Sequence, residues 1–291
     1  MSPGGPPVAL TIAGSDSGSG AGIQADLKTM SALGVFAVTA LTAVTAQNTA
    51  EVRAVHPVPP DMVVAQIQAV LDDLPVAAVK TGMLTSAAVV DRVGHLAGSG
   101  LLPRLVVDPV MVASSGRVLL DNQGIDAYRQ SLLPLALMVT PNLWEAALLA
   151  GVPPSEVGDV EAMVRLARAI HHLGPTWVLV KGGHLPGVAS PVGGDAPGEV
   201  ADVLFDGDHV TVLTGPRVDT ANTHGTGCSL SAAIVAHLAR GADVGTAVAS
   251  AKDYVYRALL GGAGWRLGSG HGPLDHLGWT DPGPPVGPDR R

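Results

Sequence analysis

Short apolar runs that alternate with longer helical patterns constrain this chain most, because few folds accommodate that rhythm. Six runs predict strands: residues 8–14, 35–46, 76–82, 105–110, 136–142 and 177–183. Such near-continuous apolar strands are typical of a parallel sheet that is covered on both faces. The segments between them predict helices over residues 23–33, 60–71, 87–96 and 161–173. This order predicts an α/β fold, a three-layer αβα sandwich around a mostly parallel, doubly wound sheet.

Two later segments depart from this rhythm. Residues 199–215 alternate in polarity and turn at Asp206-Gly207-Asp208, which predicts a β-hairpin, and helices are expected over residues 227–239 and 244–260. No linker or repeat divides the chain, so residues 1–277 are expected to form one domain. The Gly- and Pro-rich residues 186–198 predict a mobile surface loop, and residues 278–291 predict a disordered C-terminal tail.

The charge balance restricts the class of partner. The 291 residues carry 25 acidic and 17 basic side chains, a net charge of −8. Nucleic acid and anionic membranes attract basic surfaces, so neither is expected as a partner. The chain has one cysteine, no apparent signal peptide and no apolar run near its N-terminus long enough to span a membrane. A reducing, cytoplasmic location is therefore expected.

Polar residues stand where the predicted strands end. Because ligands of open α/β sheets bind beyond the carboxyl ends of the strands, these residues predict one crevice along that edge. They include Gln47, Lys80, Asp108, Asn142 and Lys181.

The first strand runs into GSDSGSGAGIQAD, residues 14–26. Its glycines permit close approach of the backbone to a ligand. The spacing G-x-G-x-G differs from the dinucleotide fingerprint G-x-G-x-x-G, and the chain contains no G-x-x-x-x-G-K-[ST] phosphate loop. A substrate-binding loop is the preferred interpretation, and a tight turn without a ligand is the alternative.

The segment NTHGTGCSLSAA, residues 222–233, places glycines directly before a predicted helix. The free N–H groups at such a helix start form an anion site, here contributed by Gly225, Thr226 and Gly227. Cys228 stands on the first turn, where the pKa of a thiol is expected to fall and its thiolate to be favoured. The alternative is a small buried side chain, which free cysteine often is.

Asn142 and Glu145 lie three residues apart at another predicted helix start. They could hold Mg²⁺ through water molecules, since magnesium keeps most of its hydration shell, or they could form a capping box. Lys181 could meet phosphate oxygens or be a solvated strand-end lysine. Lys80 and Asp108 could line the site or be buried structural groups.

Other polar and aromatic residues are given structural roles. His171 and His172 lack an acidic or cysteine partner at metal-ligand spacing, so a metal site there is not expected. Trp144, Trp177 and Met111 are expected in the core.

Eight ordered motifs across residues 8–277 resemble the ribokinase superfamily of small-molecule kinases, and most closely the hydroxymethylpyrimidine/phosphomethylpyrimidine kinases of thiamine biosynthesis. The motifs are IAGSDSGSGAGIQADLKT, ALTAVTAQNT, VKTGML, VVDPVMVASSG, TPNLWEA, VLVKGGH, NTHGTGC and GHGPLDH. Two residues carry the narrower resemblance. Gln47 matches a glutamine that recognises the aminopyrimidine edge, and Cys228 stands where sugar kinases carry an aspartate base.

The resemblance implies that ATP phosphorylates 4-amino-5-hydroxymethyl-2-methylpyrimidine and then its monophosphate. Cys228 would act as the base beside the amides of Gly225, Thr226 and Gly227. It further implies a homodimer, and adenine contacts from residues 244–260 and the hairpin. The implied pyrimidine pocket consists of Gly14, Asp26, Gln47, Met83 and Val110. The implied Mg-ATP side consists of Asn142, Glu145 and Lys181, with Asp108 near the metal's water shell.

Three alternatives remain open at this point. Some pyridoxal kinases also carry the cysteine, although some of these lack the glutamine. A sugar kinase is disfavoured by Cys228. A catalytically silent pyrimidine-binding protein is disfavoured because Asn142, Glu145, Lys181 and the anion turn are all present.

Overall fold

The computed structural model describes residues 5–112, 119–153, 157–183 and 198–280. Its main sheet has the strand order β10-β9-β8-β7-β6-β5-β1-β2. In this described sheet, only β9 runs in the direction opposite to the other seven strands. The strands are β1 Val8–Ala13, β2 Phe36–Leu41, β3 Ala43–Gln47, β4 Val52–Pro57, β5 Val76–Thr81, β6 Leu105–Val107, β7 Met138–Val139, β8 Trp177–Val180, β9 Glu199–Phe205 and β10 Val210–Pro216.

Helices cover both faces of this sheet. The described helices are α1 Gly22–Ala32, α2 Pro60–Leu71, α3 Ala87–Gly98, α4 Asn122–Ala127, α5 Leu143–Ala150, α6 Val160–His171, α7 Thr226–Ala239 and α8 Val244–Gly262. A π-helical turn, Tyr128–Leu132, and a 3₁₀ turn, Leu133–Leu135, follow α4. The helix predicted over residues 60–71 is confirmed at both ends, and the other predicted helices are confirmed to within two residues at each end.

Side chains that alternate between the two faces of the strands form two separate cores. In β1, Leu10 and Ile12 pack into one core with side chains of α2 to α6, whereas Ala9 packs into the other with α1, α7 and α8. Successive strand residues point to opposite faces, so a central strand must be apolar on both. The three-layer sandwich predicted from the sequence is therefore confirmed, as is the hairpin of β9 and β10 around residues 206–209.

The single strand predicted over residues 35–46 is wrong, because the chain leaves the main sheet at Thr42. That residue is buried, and it donates its N–H to the carbonyl of Ala13 and its hydroxyl to the carbonyl of Met83. Strand β3 then pairs antiparallel with β4 in a separate two-stranded sheet. Strand β4 gives little sequence signal, because most of its side chains are exposed.

The end of the chain also differs from the expectation of a tail from residue 278. Trp279 and Thr280 donate their N–H groups to the carboxylate of Asp275, and the Trp279 ring stacks on Trp265 at 6.0 Å. Residues 278–280 thus continue the fold, while residues 281–291 lie outside the described residues. Of the predicted loop 186–198, only Gly198 is described.

In the described part of the chain, no helix is long and apolar enough to cross a membrane.

The C-terminal segment fixes helices α7 and α8 through His276. Its backbone carbonyl accepts the hydroxyl hydrogen of Tyr254 from α8, and its imidazole hydrogen-bonds to Ser229 of α7 at 2.8 Å. Burial, reinforced by the positive charge of Lys28, lowers the pKa of His276 to about 4. The neutral imidazole is therefore part of the folded structure.

We expect acid to destabilise the protein through His276. The unfolded chain takes up this proton near pH 6.5 and the folded chain only near pH 4, so stability is lost as the pH falls between these values. At pH 5 the loss is on the order of 2 kcal/mol relative to pH 7. Denaturant unfolding at both pH values should show a smaller difference for His276→Gln than for wild type. The exposed His56, changed to Gln, is the control, and an unchanged pH dependence in His276→Gln would contradict the assignment.

Candidate active site

A buried carboxylate joins the glycine-rich loop to the start of α7. Asp16 accepts hydrogen bonds from the N–H groups of Gly18, Gly20 and Ala21 at 2.8, 3.1 and 2.8 Å. Its Oδ2 also lies 2.8 Å from Nε2 of His224. Burial opposes ionisation of Asp16, but the bonds from His224 and the backbone together lower its pKa. The charged side chain thereby holds two distant segments together.

Gly225, Thr226 and Gly227 form the turn that opens α7, called the anion turn below. Gly225 is the N-cap residue with φ of 84°, and a Cβ on it would lie 1.8 Å from the carbonyl oxygen of Gly20. Only glycine meets both the left-handed conformation and this close approach. The anion turn thus packs directly on the glycine-rich loop.

Lys181 approaches the anion turn from the end of β8. Its Nζ lies 3.2 Å from the position that a Cβ on Gly227 would occupy. The same Nζ donates to Oδ1 of Asp108 at 2.8 Å, and this carboxylate raises the pKa of Lys181 against the effect of burial. A lasting positive charge therefore stands beside a helix start, an arrangement that suits phosphate oxygens. The prediction that all three residues of the anion turn have free N–H groups is wrong for Thr226, whose N–H donates to the carbonyl of Thr223 at 3.3 Å.

Asp108 connects three elements around this lysine. Besides Lys181, its carboxylate accepts from the hydroxyl of Thr140 at 3.2 Å and from the hydroxyl of Ser231 in α7 at 3.1 Å. Asp108 is buried, so these partners take the place of water. The ends of β6, β7 and β8 are thus tied to α7.

The expectation that the helix start lowers the pKa of Cys228 is wrong. Cys228 is half-buried, and loss of solvation around its sulfur raises the pKa of the thiol to about 11. The positive charge of Lys80 and the N–H of Gly22 act in the opposite direction, but they are outweighed by burial and by the charges of Asp26 and Asp108. At Cys228, burial and the two aspartates therefore outweigh the groups that stabilise the thiolate.

The carboxylate of Asp26 does not face an open pocket in this structure. Asp26 and Lys80 are both fully buried and form an ion pair of 2.5 Å, and Oδ2 of Asp26 also accepts the hydroxyl hydrogen of Thr11 at 2.6 Å. A direct contact of Asp26 with a substrate stays a prediction.

Of the other predicted pocket residues, Gly14 opens the glycine-rich loop, and Met83 and Gln47 contact that loop. A Cβ on Gly14 would lie 2.2 Å from Cε of Met83, so these two residues are in contact. The backbone of Gln47 forms two hydrogen bonds with the Ser17 hydroxyl, and its side-chain Nε2 lies 3.4 Å from Nε2 of His224. Val110 is half-buried two residues after Asp108.

Asn142 and Glu145 form the capping box that their spacing allows. The side chain of Asn142 accepts from the N–H of Glu145 at 2.9 Å, and that of Glu145 accepts from the N–H of Asn142 at 2.8 Å. Burial raises the pKa of Glu145 to about 7; Lys181 opposes the shift, and Asp108 adds to it. The capping box is therefore confirmed. It is compatible with a role in holding magnesium, because the carboxylate of Glu145 has further lone pairs.

The donor set fits magnesium held through water. Among the described residues no group of three or more His, Cys, Asp or Glu side chains could hold a metal ion directly. Two buried carboxylates, Asp108 and Glu145, lie close enough to influence each other. Mg²⁺ commonly keeps several water molecules and takes one or two carboxylates together with substrate phosphates.

Some assignments made from the sequence change. Trp144 is 39% exposed, so its placement in the core is wrong, whereas Met111 is buried as predicted. Asp16 and His224 lie within the sequence motifs, but neither is assigned a role from the sequence. Asp16 stands among glycines and accepts a hydrogen bond from the N–H of Gly18, two positions later. An aspartate two residues before a glycine is a common turn pattern, and this local signal could have identified Asp16.

The chain is a doubly wound αβα sandwich, and its anion turn lies beside a lysine and an aspartate at strand ends. This combination defines a ribokinase-like small-molecule kinase. Solved structures of this class superpose well. A Bacillus subtilis pyridoxal kinase in complex with ADP matches with a TM-score of 0.82 and 37% identity, covering 93% of this chain and 97% of its own. A phosphomethylpyrimidine kinase from Clostridium difficile matches with a TM-score of 0.73 and 38% identity, covering 87% and 99%.

Sequence comparisons define the family within that class. The family model described as phosphomethylpyrimidine kinase matches residues 16–275. A hydroxymethylpyrimidine/phosphomethylpyrimidine kinase from Rhizobium meliloti is 49% identical over 280 residues, covering 94% of this chain and 99% of the relative. The chain belongs to the phosphomethylpyrimidine kinase family, and it is a phosphotransferase that uses ATP.

We expect Gly225→Ala to abolish most phosphoryl transfer. The added methyl group would meet the Gly20 carbonyl and displace the anion turn, and loss of its oriented N–H groups should lower kcat by at least ~100-fold. Turnover of ATP with the pyrimidine substrate measures this.

Gly241→Ala is the matched control. Gly241 also has a left-handed φ, of 91°, but a Cβ there meets nothing within 4 Å. Thermal unfolding should show a backbone strain cost of about 1–2 kcal/mol in Gly241→Ala, with normal turnover. The cost in Gly225→Ala should be larger, because its methyl group also meets the Gly20 carbonyl. Equal loss of activity in the two would contradict the role given to the anion turn.

Proposed function

We propose that this chain phosphorylates 4-amino-5-hydroxymethyl-2-methylpyrimidine and then its monophosphate, with ATP as donor in both reactions, in thiamine biosynthesis. The printed names of its relatives support both acceptors, and one relative from Geobacter sulfurreducens, 44% identical, is a thiamine biosynthesis bifunctional protein. A continuous chain of contacts carries the proposal. Gln47 adjoins His224, which directly precedes the anion turn, and Lys181 adjoins the other end of that turn.

Gln47 would recognise the pyrimidine. Its amide supplies one donor and one acceptor, which match the ring nitrogen and the amino group of an aminopyrimidine edge. The Ser17 hydroxyl holds the backbone of Gln47 on both its N–H and its carbonyl, so the side chain starts from a fixed position. Gly14 and Met83 would pack against the ring.

The first reaction needs a base. A bond forms between the hydroxymethyl oxygen and the γ-phosphorus of ATP, the bond from that phosphorus to the β-phosphate oxygen breaks, and the hydroxyl proton must leave. Cys228 stands at the anion turn and would accept that proton as a thiolate. Because the pKa of the thiol is raised to about 11, the thiol must first lose its own proton. The N–H groups of the anion turn and the Lys181 ammonium would stabilise the charge on the transferring group.

The second reaction differs at one point. The acceptor is a phosphate oxygen, which is already ionised near neutral pH because a phosphomonoester has a second pKa of about 6. No proton has to be removed by Cys228. This reaction instead requires positive charge near the anionic acceptor, which Lys181 and the anion turn would supply.

Magnesium would be held by the triphosphate and, through water, by Asp108 and Glu145. When bound it would neutralise charge on the β- and γ-phosphates. Binding through water would leave the existing contacts of these residues intact. Lys181 would keep its ion pair with Asp108, and Glu145 would keep its capping hydrogen bond. Adenine contacts, a homodimer and a cytoplasmic location remain predictions.

Phosphorylation of four candidate acceptors, called the acceptor panel below, tests the proposal. Purified protein with Mg-ATP should phosphorylate hydroxymethylpyrimidine and its monophosphate with higher kcat/KM than pyridoxal, and ribose should not react. Pyridoxal belongs in the panel because structurally similar proteins are pyridoxal kinases. A preference for pyridoxal or ribose would overturn the proposal. Ligand binding without transfer to any acceptor would show a silent binding protein instead.

Cys228→Ala should separate the two reactions. Loss of a general base typically lowers a rate by about 10²–10⁴-fold, and we expect this for the alcohol acceptor only. Transfer to the monophosphate should fall by less than about tenfold, since that oxygen is already ionised at pH 7.5. Product formation is measured separately for each acceptor.

Cys228→Ser is the matched variant, because it keeps a polar group of similar size but one much harder to ionise. It should behave like Cys228→Ala toward the alcohol. Equal losses for both acceptors, or a normal rate with the alcohol, would show that Cys228 is not the base.

A further inference from the structure

One imidazole nitrogen lies between a buried carboxylate and the amide that is proposed to recognise the substrate. Nε2 of His224 is 2.8 Å from Oδ2 of Asp16 and 3.4 Å from Nε2 of Gln47. The mechanism described so far uses His224 only as the residue that precedes the anion turn. Whether this nitrogen carries a hydrogen decides which atom of the Gln47 amide can face it.

The imidazole ring of His224 is held from several sides. A Cβ on Gly20 would lie 2.3 Å from Cδ2 of His224, so the ring packs directly on the glycine-rich loop. The backbone N–H of His224 donates to the carbonyl of Gly272 at 3.1 Å, and His224 also forms an isolated β-bridge with Pro273. These contacts place Nε2 at a defined point between the two side chains.

The carboxylate of Asp16 determines that Nε2 carries a hydrogen. Its oxygens accept the N–H groups of Gly18, Gly20 and Ala21. Burial opposes ionisation, but the bonds from His224 and from the backbone together lower the pKa of Asp16. An ionised carboxylate can only accept hydrogen bonds. The nitrogen 2.8 Å from its Oδ2 is therefore an N–H donor, in the neutral imidazole as well as in the charged one.

An N–H donor at Nε2 attracts the amide oxygen of Gln47 and not its amide nitrogen. The oxygen and the NH₂ group of a glutamine exchange places by a half-turn about the last side-chain bond, so the hydrogen-bond partners decide between the two orientations. With the oxygen toward His224, one of its lone pairs accepts from Nε2–H and the other lies beside the NH₂ group. The amide then presents an acceptor and a donor in a fixed order, with the acceptor nearer to His224.

This order would set the direction in which the pyrimidine binds. In 4-amino-5-hydroxymethyl-2-methylpyrimidine, a ring nitrogen, the amino group and the hydroxymethyl group follow one another around the ring. The amino group would donate to the amide oxygen of Gln47, and the ring nitrogen would accept from the NH₂ group. The hydroxymethyl group would then lie on the side of His224, whose next residue opens the anion turn. The opposite amide orientation would direct it away from that turn.

We propose that His224, held by Asp16, is a positioning residue that fixes the Gln47 amide with its oxygen toward the anion turn. The site thereby selects an acceptor that carries an amino group beside its reacting hydroxymethyl group. This assignment rests on the proposed function for the identity of the acceptor. The hydrogen on Nε2 follows from the contacts of Asp16 and does not depend on any substrate.

A 4-oxo analogue of the acceptor separates this role from a structural one. The analogue has a carbonyl in place of the amino group and an N–H at the ring nitrogen, so donor and acceptor are exchanged while the shape is kept. Wild type should prefer the amino compound by about 100-fold in kcat/KM, within the range of discrimination by one bidentate amide contact. In His224→Met the Gln47 amide can turn, so the preference should fall to about tenfold or less. Structural damage alone would lower both rates and leave their ratio unchanged.

His224→Gln is the matched variant. Its amide nitrogen lies the same number of bonds from Cα as Nε2 of histidine, and its two hydrogens can serve Asp16 and Gln47. Methionine has a similar length and shape but no N–H donor. His224→Gln should therefore keep most of the wild-type preference, even where kcat falls. Thermal unfolding shows whether each variant folds.

The hydrogen on Nε2 can be measured without any substrate. Long-range ¹H–¹⁵N spectra of the full-length protein distinguish imidazole nitrogens that carry a hydrogen from those that do not. The signals of His224 are those that are absent from the spectrum of His224→Gln. We expect Nε2 of His224 to carry a hydrogen at neutral pH. If His224→Met does not fold, this spectrum decides the question.

Three results would each overturn the assignment: an Nε2 without a hydrogen, an unchanged preference in folded His224→Met, or a lost preference in folded His224→Gln. The proposed function stands in all three if wild type phosphorylates the amino compound in the acceptor panel. Wild type that phosphorylates neither pyrimidine would refute the proposed function, and the assignment with it.

Discussion

The site depends on the approach of two backbone turns, where the carbonyl of Gly20 lies against Gly225. No side chain fits between them, since a Cβ on Gly225 would stand 1.8 Å from that oxygen. The contact brings residues more than 200 positions apart into one surface. Asp16 reinforces it by bonding both to the glycine-rich loop and to His224. The pyrimidine side and the phosphate side of the cleft are thereby held in one geometry.

The charges of the site are arranged as pairs. Lys181 with Asp108 lies beside the anion turn, and Lys80 of β5 with Asp26 of α1 is fully buried. In a region with little water each lysine keeps its proton because of its aspartate, and each aspartate is held by hydroxyl donors from neighbouring elements. Such fixed charges need no rearrangement during a reaction, which is what stabilisation of a transferring phosphoryl group requires.

Individual helices, strands and residues show which structural features could be predicted from the sequence and which could not. Helix α2 was predicted at both ends, because Pro60 suits a first helical turn and the apolar positions follow the helical period. Strand β4 was missed, because it pairs outside the main sheet and most of its side chains are exposed. Cys228, Gly225 and Lys181 were identified from motifs, whereas the pairing of Asp26 with Lys80 was not, since contacts between distant segments leave no local periodicity.

By itself the sequence determined the layered fold, the family and the segments that meet at the carboxyl edge of the sheet. These follow from local chemistry: apolar runs dictate strands, and glycines before a helix leave N–H groups free. Only the tertiary structure decided the ionisation of the site. The thiol of Cys228 has a raised pKa despite its helix start, and so does the carboxyl group of Glu145 despite its place at another helix start. Solvent access and the charges brought in from distant strands set these values, and neither is a property of neighbouring residues in the chain.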